Sequence, residues 1–346
     1  MPGAGGSFDR HPDQPWGRAG NYGALDLGTN NCRLLVARPT RAGFQVVDAF
    51  SRIVRLGEGV QETGILSGAA MDRAMDALEI CADKLKRRGV GRVRAVATHA
   101  CRQASNSRDF ASRVFDQTGL MLETIQPSEE AMLAVRGCVP LLNRDIPHAL
   151  VFDIGGGSTQ LAWLHVRQNG IETLGVASIP IGVMTLGERM GLGPQSEDGF
   201  NAVVAEVDRA MAPFCDDNGV AAAVARGEVQ LIGASGTVTT LTGIELELPR
   251  YNRAAVDGSY LSLASVERLA EELRGQTLEE RASYPCVGRE RADLLIAGCA
   301  ILEAIRRRWP VARLRVADRG IREGILIELM REDGYVTARE EGSHGL

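Results

Sequence analysis

A chain of 346 residues is too long for one ordinary hydrophobic core and comfortable for two, and 45% hydrophobic with 24% charged residues is the balance of a soluble globular protein. The net charge of −5 supplies no global positive field for nucleic acid or any other polyanion, so an anionic ligand must be held by local groups. No apolar run approaches the roughly 18–20 residues of a membrane span, and the seven cysteines, odd in number and without a C-x-x-C pair, argue against a zinc site or a disulfide framework and for a reducing, cytoplasmic setting.

Residues 1–20 are rich in Gly, Pro and polar groups with no apolar signal segment, and read as a disordered tail. Tyr22 to Ala37 reads as strand, tight turn, strand, and Phe44 to Phe50 as a third strand. Ser51 to Gly68 is glycine-rich and irregular. Ser67 then caps a long helix in which Met71, Ala74, Met75, Leu78, Cys81 and Leu85 recur at helical spacing as far as Gly89. Val93 to Thr98 is a buried strand. A polar loop from His99 to Ser107, a helix from Arg108 to Thr118 and a strand from Met121 to Ile125 follow. Ser128 is the expected N-cap of a helix running to Gly137. Leu142 to Pro147, polar and proline-containing, is the candidate domain boundary.

Beyond it, a second strand–turn–strand unit opens at Val151, with a further strand from Glu172 to Ile179 and the turn Pro180-Ile-Gly-Val. A helix from Glu197 to Asn218 leads to the strand Val229 to Ile232 and a Gly/hydroxyl turn, Gly233 to Thr237, that enters another helix. Helices from Arg291 to Arg308 and Gly320 to Glu332 flank the strand Arg313 to Ala317. This order is that of an α/β protein. The expected division is a tail (1–20), an N-terminal domain (21–142), a C-terminal domain (143–333) whose last helix is free to pack back on the first, and a frayed tail (334–346).

Two segments repeat in phase. Ala24-Leu-Asp-Leu-Gly-Thr-Asn-Asn-Cys-Arg-Leu-Leu-Val-Ala37 and Val151-Phe-Asp-Ile-Gly-Gly-Gly-Ser-Thr-Gln-Leu-Ala-Trp-Leu164 both pass from apolar residues through Asp-x-Gly and a short polar turn back to apolar residues. One such turn is weak, because Asp and Gly fill many turns for conformational reasons alone. Two copies point to related half-structures that present backbone N–H groups and one carboxylate each, Asp26 and Asp153, to a shared cleft. Bare N–H groups suit phosphate oxygens, and paired Asp residues suit a hydrated divalent metal. Three successive glycines, Gly155 to Gly157, cost chain entropy that close approach to a ligand explains. This is not a Walker A loop, since no Gly-Lys-Ser/Thr follows and the next element is a strand.

The run Ala97-Thr-His-Ala-Cys-Arg102 follows a buried strand at the end where α/β folds place ligands, which makes Arg102 a candidate phosphate contact. His99 reads as a loop residue rather than a base. Glu129 and Glu130, at a helix start, either complement the helix dipole or supply a carboxylate to deprotonate an attacking water.

These residues carry a resemblance. DLGTNNCRLL, ATHACR with Asn106 after it, SEEA, DIGGGST, IGASGT, Arg291-Ala-Asp293 with AGCAILEAI, and ADRGIREGIL are similar, in order and spacing from Tyr22 to Glu332, to the exopolyphosphatase/guanosine pentaphosphate phosphatase (Ppx/GppA) family, in its short two-domain form. The resemblance implies two ribonuclease-H-like domains of the actin-like ATPase (sugar kinase/Hsp70/actin) superfamily with the active site between them. It places Glu130 as the general base, with Glu129 the lesser candidate, and Asp153 as the acid that binds Mg²⁺. Asp26, Gly28, Thr29, Asn30 and Asn31 match the first phosphate loop, with Asn31 where many members have serine. Gly155, Gly156, Gly157 and Ser158 match the second, and Arg102 the arginine that holds substrate phosphates. Gln160 departs from the family, standing where a catalytic or metal-linked glutamate is usual. Its carboxamide keeps an oxygen acceptor but loses the charge, so weaker metal binding and slower turnover are expected.

The reaction so implied is hydrolysis of a terminal phosphoanhydride. Three readings stand: orthophosphate release from inorganic polyphosphate, 5′-dephosphorylation of the stringent-response nucleotide pppGpp to ppGpp, or a nucleotide- or polyphosphate-binding regulator of weak activity, which Gln160 brings closer. Mg²⁺ is the expected cofactor, with K⁺ left open as a second cation. Neither nucleic acid nor membrane is expected as a partner, and a homodimer is compatible with the family.

Overall fold

The computed structural model describes residues 20–335 apart from 192 and 194, so both expected tails lie almost wholly outside the described residues. The strands form two sheets. The first holds β1 (Asn21–Leu27), β2 (Asn31–Thr40), β3 (Gly43–Ile53), β4 (Val90–Ala97) and β5 (Leu122–Thr124), in the order β3-β2-β1-β4-β5. The second holds β6 (His148–Ile154), β7 (Thr159–Arg167), β8 (Gly170–Ile179), β9 (Val229–Ser235), β10 (Tyr260–Ser262) and β11 (Arg313–Ala317), in the order β10-β11-β9-β6-β7-β8.

The two sheets share one plan. An antiparallel meander, β1-β2-β3 or β6-β7-β8, begins each, and a later strand, β4 or β9, returns parallel to the first. β5 and β11 continue the parallel side in both, and the second sheet adds β10 at its edge. The repeat visible in the sequence therefore extends to whole half-molecules of ribonuclease-H-like topology. The hairpin turns are equivalent down to one hydrogen bond. Gly28 N donates to Asn31 O at 2.8 Å, and Gly155 N donates to Ser158 O at 2.9 Å.

Two helices lie between the sheets. Pro127–Cys138 turns Leu133 and Ala134 to a cluster with Ala24, Leu35 and Val96 of the first sheet, and Val135 and Cys138 to a cluster with Val151, Ala162 and Ile232 of the second. The closing helix, Ile321–Glu332, follows β11 of the second sheet yet buries Ile325, Leu326 and Met330 against the first. The helices touch backbone to backbone: a Cβ at Gly137 would collide with the Gly320 carbonyl, and one at Gly324 with that of Leu133. Their N-terminal ends, at Glu130 and Ile321, meet the space between the sheets.

Local expectations failed in informative places. The polar stretch read as a loop after Thr98 begins with a helix, His99–Gln103, whose Ala100 and Cys101 are buried. Ser128 is not an N-cap. Gln126 holds that position without a side-chain bond, extended as a residue before proline must be, and Pro127 opens the helix. The helix expected from Arg291 to Arg308 is two, Arg289–Ala292 and Leu295–Arg308. Val183–Met190, after the Pro180 turn, was not foreseen as helix. Ser67 does cap Gly68–Arg87, accepting from Ala70 N at 3.2 Å. Among the described residues no helix is long and apolar enough to cross a membrane.

Candidate active site

Both Asp-x-Gly turns open at the C-terminal ends of β1 and β6 onto one cavity of about 130 Å³ between the sheets, lined by Asp26, Gly28, Thr29, Asn30 and Asn31 from the first turn and by Asp153 and Gly155 to Ser158 from the second. The turns press together. A Cβ at Gly156 would stand 3.0 Å from Asn30 N, and one at Gly157 would strike the His99 ring. Side chains at either position would drive the turns apart, which accounts for the glycines.

Several carbonyl groups here are already engaged. Gly155 O and Gly156 O accept from Val183 N (3.0 Å) and Met184 N (2.8 Å) at the start of Val183–Met190. Thr29 O accepts from Gly57 N, and Asn30 O from Val54 N and Arg55 N. The N–H groups of Thr29, Asn30, Gly156, Gly157 and Ser158, by contrast, donate to no partner among the described residues. Such N–H groups facing a cavity from two sides form an anion cradle. Arg33 and Arg291 line the same cavity and make no ion pair among the described residues. Arg291 lies over the Tyr251 ring, 5.7 Å from its centroid.

The acids are crowded. Glu130 sits in the first turn of Pro127–Cys138, 7% exposed, and burial pushes its carboxyl up to about 7 against the pull of Arg102. Asp153 is pushed up to about 7 by burial and then by the negative charges of Glu130 and Asp26. Asp26 is raised by its burial as well, and its Oδ1 is buried without a hydrogen-bond partner. Glu129 faces elsewhere, in an ion pair with Arg94. Of the two neighbouring acids, Glu130 alone lines the cavity.

Other expected residues stand differently. Arg102 does not line the cavity; its Nη1 donates to Glu130 Oε2 at 2.7 Å and to Ile125 O at 3.0 Å. Gln160 is buried outside the lining and donates to Ser158 Oγ at 2.9 Å and Ser178 Oγ at 3.3 Å. His99 does line the cavity, its imidazole held neutral by a pKa pushed down to about 4 through burial and the Arg102 charge.

Sequence reasoning missed Arg33 and Arg291 as site residues. Arg33 could have been found, since a tight hairpin places it across the ladder from Asp26. Arg291 stands out in the sequence only as part of the Arg291-Ala-Asp293 motif of the resemblance, with no role attached to it. The described residues hold no cluster of three or more His, Cys, Asp or Glu shaped as a metal cage. Two aspartates lining a phosphate cradle nevertheless fit Mg²⁺, which commonly takes one or two carboxylates and completes its shell with water and substrate phosphate. The partnerless Oδ1 of Asp26 and the mutual repulsion of the acids are what a bound cation would relieve.

The sequence matches the model of the Ppx/GppA phosphatase family over residues 35–333. It is 31% identical over 320 residues to a protein named exopolyphosphatase 2 from Mycobacterium tuberculosis, covering 88% of this chain and 97% of that one. Among solved structures, an exopolyphosphatase from Cytophaga hutchinsonii matches with a TM-score of 0.80 at 26% identity, over 92% of this chain and all 100% of the other. An Aquifex aeolicus Ppx/GppA family member matches with a TM-score of 0.75 at 25% identity, over 91% and 99%.

Proposed function

The chain belongs to the Ppx/GppA phosphatase family, and from that premise we propose that it is an exopolyphosphatase, a hydrolase of phosphoric anhydrides that removes terminal orthophosphate from inorganic polyphosphate. The observation that carries this reading is the cradle: partnerless N–H groups from two turns and two unpaired arginines converge on one cavity that also holds Glu130. That is a site for a multiply charged anion with a base beside it. All seven cysteines are buried free thiols, which suits a reducing compartment such as the cytoplasm.

The terminal phosphoryl group is held by the N–H groups of Thr29, Asn30, Gly156, Gly157 and Ser158, which donate to its non-bridging oxygens. Arg33 and Arg291 hold the neighbouring phosphates. Glu130 takes a proton from a water aligned with the scissile P–O bond. The water oxygen bonds to the terminal phosphorus as the bridging P–O bond breaks, and the electron pair leaves with the shortened chain. Arg102 holds the Glu130 carboxylate in place and favours its charged form. Asp153 and Asp26 are the residues that would hold Mg²⁺, which supplies charge neutralisation of the phosphoryl oxygens when bound. Gln160, bonded to Ser158, braces the second turn.

Phosphate release measured side by side from polyphosphate and pppGpp, with Mg²⁺ present, tests the assignment. Polyphosphate is expected to turn over, with kcat/KM above that for pppGpp. The reverse preference would make the chain a pppGpp phosphohydrolase, and binding of either anion without release would make it a regulator.

A further inference from the structure

A second cavity, of about 240 Å³, adjoins the first and shares with it the side chains of Thr29 and His99. Thr29 stands as a partition. Its hydroxyl lies 2.9 Å from where a Cβ of Gly157 would be, on the cradle side, and its methyl 2.2 Å from where a Cβ of Gly57 would be, on the second-cavity side. Thr29 is 5% exposed, so the shared wall is deep, yet Gln61, Gly64 and Gln103 at the other end are exposed. The cavity therefore runs from the back of the phosphate cradle to solvent.

Its lining differs in kind from that of the cradle. Arg33 and Arg291 line the first cavity, whereas no charged side chain lines the second among the described residues. Gln61, Gln103 and Thr185 offer hydrogen bonds, and Val60 and Ala100 are apolar. An anion there would exchange hydrogen bonds with neutral groups and water, with no cation to retain it. Such a lining suits passage rather than storage.

The chemistry supplies a reason for a passage. In-line cleavage leaves orthophosphate between Glu130 and the shortened polymer. The polymer fills the route by which it entered, so the product is trapped unless the polymer dissociates or another route opens. We propose that the second cavity is the exit for product orthophosphate, with Thr29 and His99 as its gate, so that one polyphosphate chain is shortened repeatedly without being released. This rests on the exopolyphosphatase reading above.

The test plugs the solvent end and leaves the cradle intact. Gln61→Trp and Gln103→Trp together fill the exposed mouth, and Gln61→Ala with Gln103→Ala is the control that widens it. With polyphosphate of defined length, acid quenching counts all phosphate formed, while a phosphate-binding fluorescent reporter counts only phosphate free in solution. In the Trp variant the first turnover by quench is expected at the wild-type rate, with the reporter signal delayed about 10-fold and the steady rate falling to match it. The Ala variant is expected to show no delay. A reporter trace that follows the quench as in wild type overturns the exit, as does equal slowing of both signals. Wild type that forms no phosphate by quench would instead overturn the exopolyphosphatase reading, and the two failures are read from different arms.

Discussion

Glu130 is the proposed base, and its surroundings set a measurable pH dependence. A base must be unprotonated to accept the water's proton, and burial raises this carboxyl to about 7. kcat/KM is therefore expected to rise with pH through about 7 and then to level. Arg102 opposes that rise in pKa, so Arg102→Ala is expected to move the limb to higher pH, whereas loss of a phosphate contact would raise KM without moving it. Glu130→Gln removes the base and is expected to lower kcat about 10²- to 10⁴-fold with KM little changed. Gln160 offers a second test. It pairs with Asp153 across the ladder, so Gln160→Glu places another acid beside Asp26, Asp153 and Glu130. Without divalent metal this variant is expected to lose about 2 kcal/mol by calorimetry; with Mg²⁺ it should recover the loss and gain turnover, and equal melting in both conditions would remove the idea. The turn residues were legible in the sequence because a strand, an Asp-x-Gly and a glycine run are all local. Arg33 was legible only through the register of the hairpin, which sets it across from Asp26, and Arg291 needs the packing of two half-molecules to show where it lies.

The elements that position those residues follow the same division. β1-β2 and β6-β7 could be read from their apolar runs and turns, and Gly68–Arg87 from its period and Ser67 cap. His99–Gln103 could not, because its polar side chains carry no apolar period over so short a run. The crossing of Pro127–Cys138 with the closing helix was invisible as well, since the glycines that permit it are far apart in the chain. Gly137 and Gly324 matter because a methyl at either would enter a backbone carbonyl of the facing helix, and backbone cannot swing aside as a side chain can. Gly137→Ala is expected to destabilise the protein by about 1–3 kcal/mol in urea unfolding. It should also lower kcat under conditions where the variant is fully folded, because Glu130 rides on the displaced helix. An equivalent loss of stability with unchanged kcat would show that the crossing holds the fold together without tuning the base.

At the scale of the molecule, the two halves are joined at the back by the crossing helices and at the front by contacts over the cleft. Arg55 Nη2 meets Asp293 Oδ2 at 2.5 Å, and Gly59 N donates to Glu188 Oε1 at 3.3 Å. Arg55 is held with a positive φ of 48°, uncommon for a residue with a side chain, while its N–H donates to Asn30 O of the first phosphate turn. The ion pair thus couples the cradle on one side to the segment carrying Arg291 on the other. A pair that favours the closed arrangement before substrate arrives spares the substrate the cost of closing it. Arg55→Ala leaves Asp293, only 10% exposed at its side chain, without its partner, and the halves are expected to open more often. Measured KM for polyphosphate should rise about 3- to 10-fold with kcat within about 2-fold, because only the binding-competent fraction falls while the assembled site is unchanged. A matching fall in kcat would place the pair in the chemical step, and an unchanged KM would mean that the crossing helices alone hold the cleft closed.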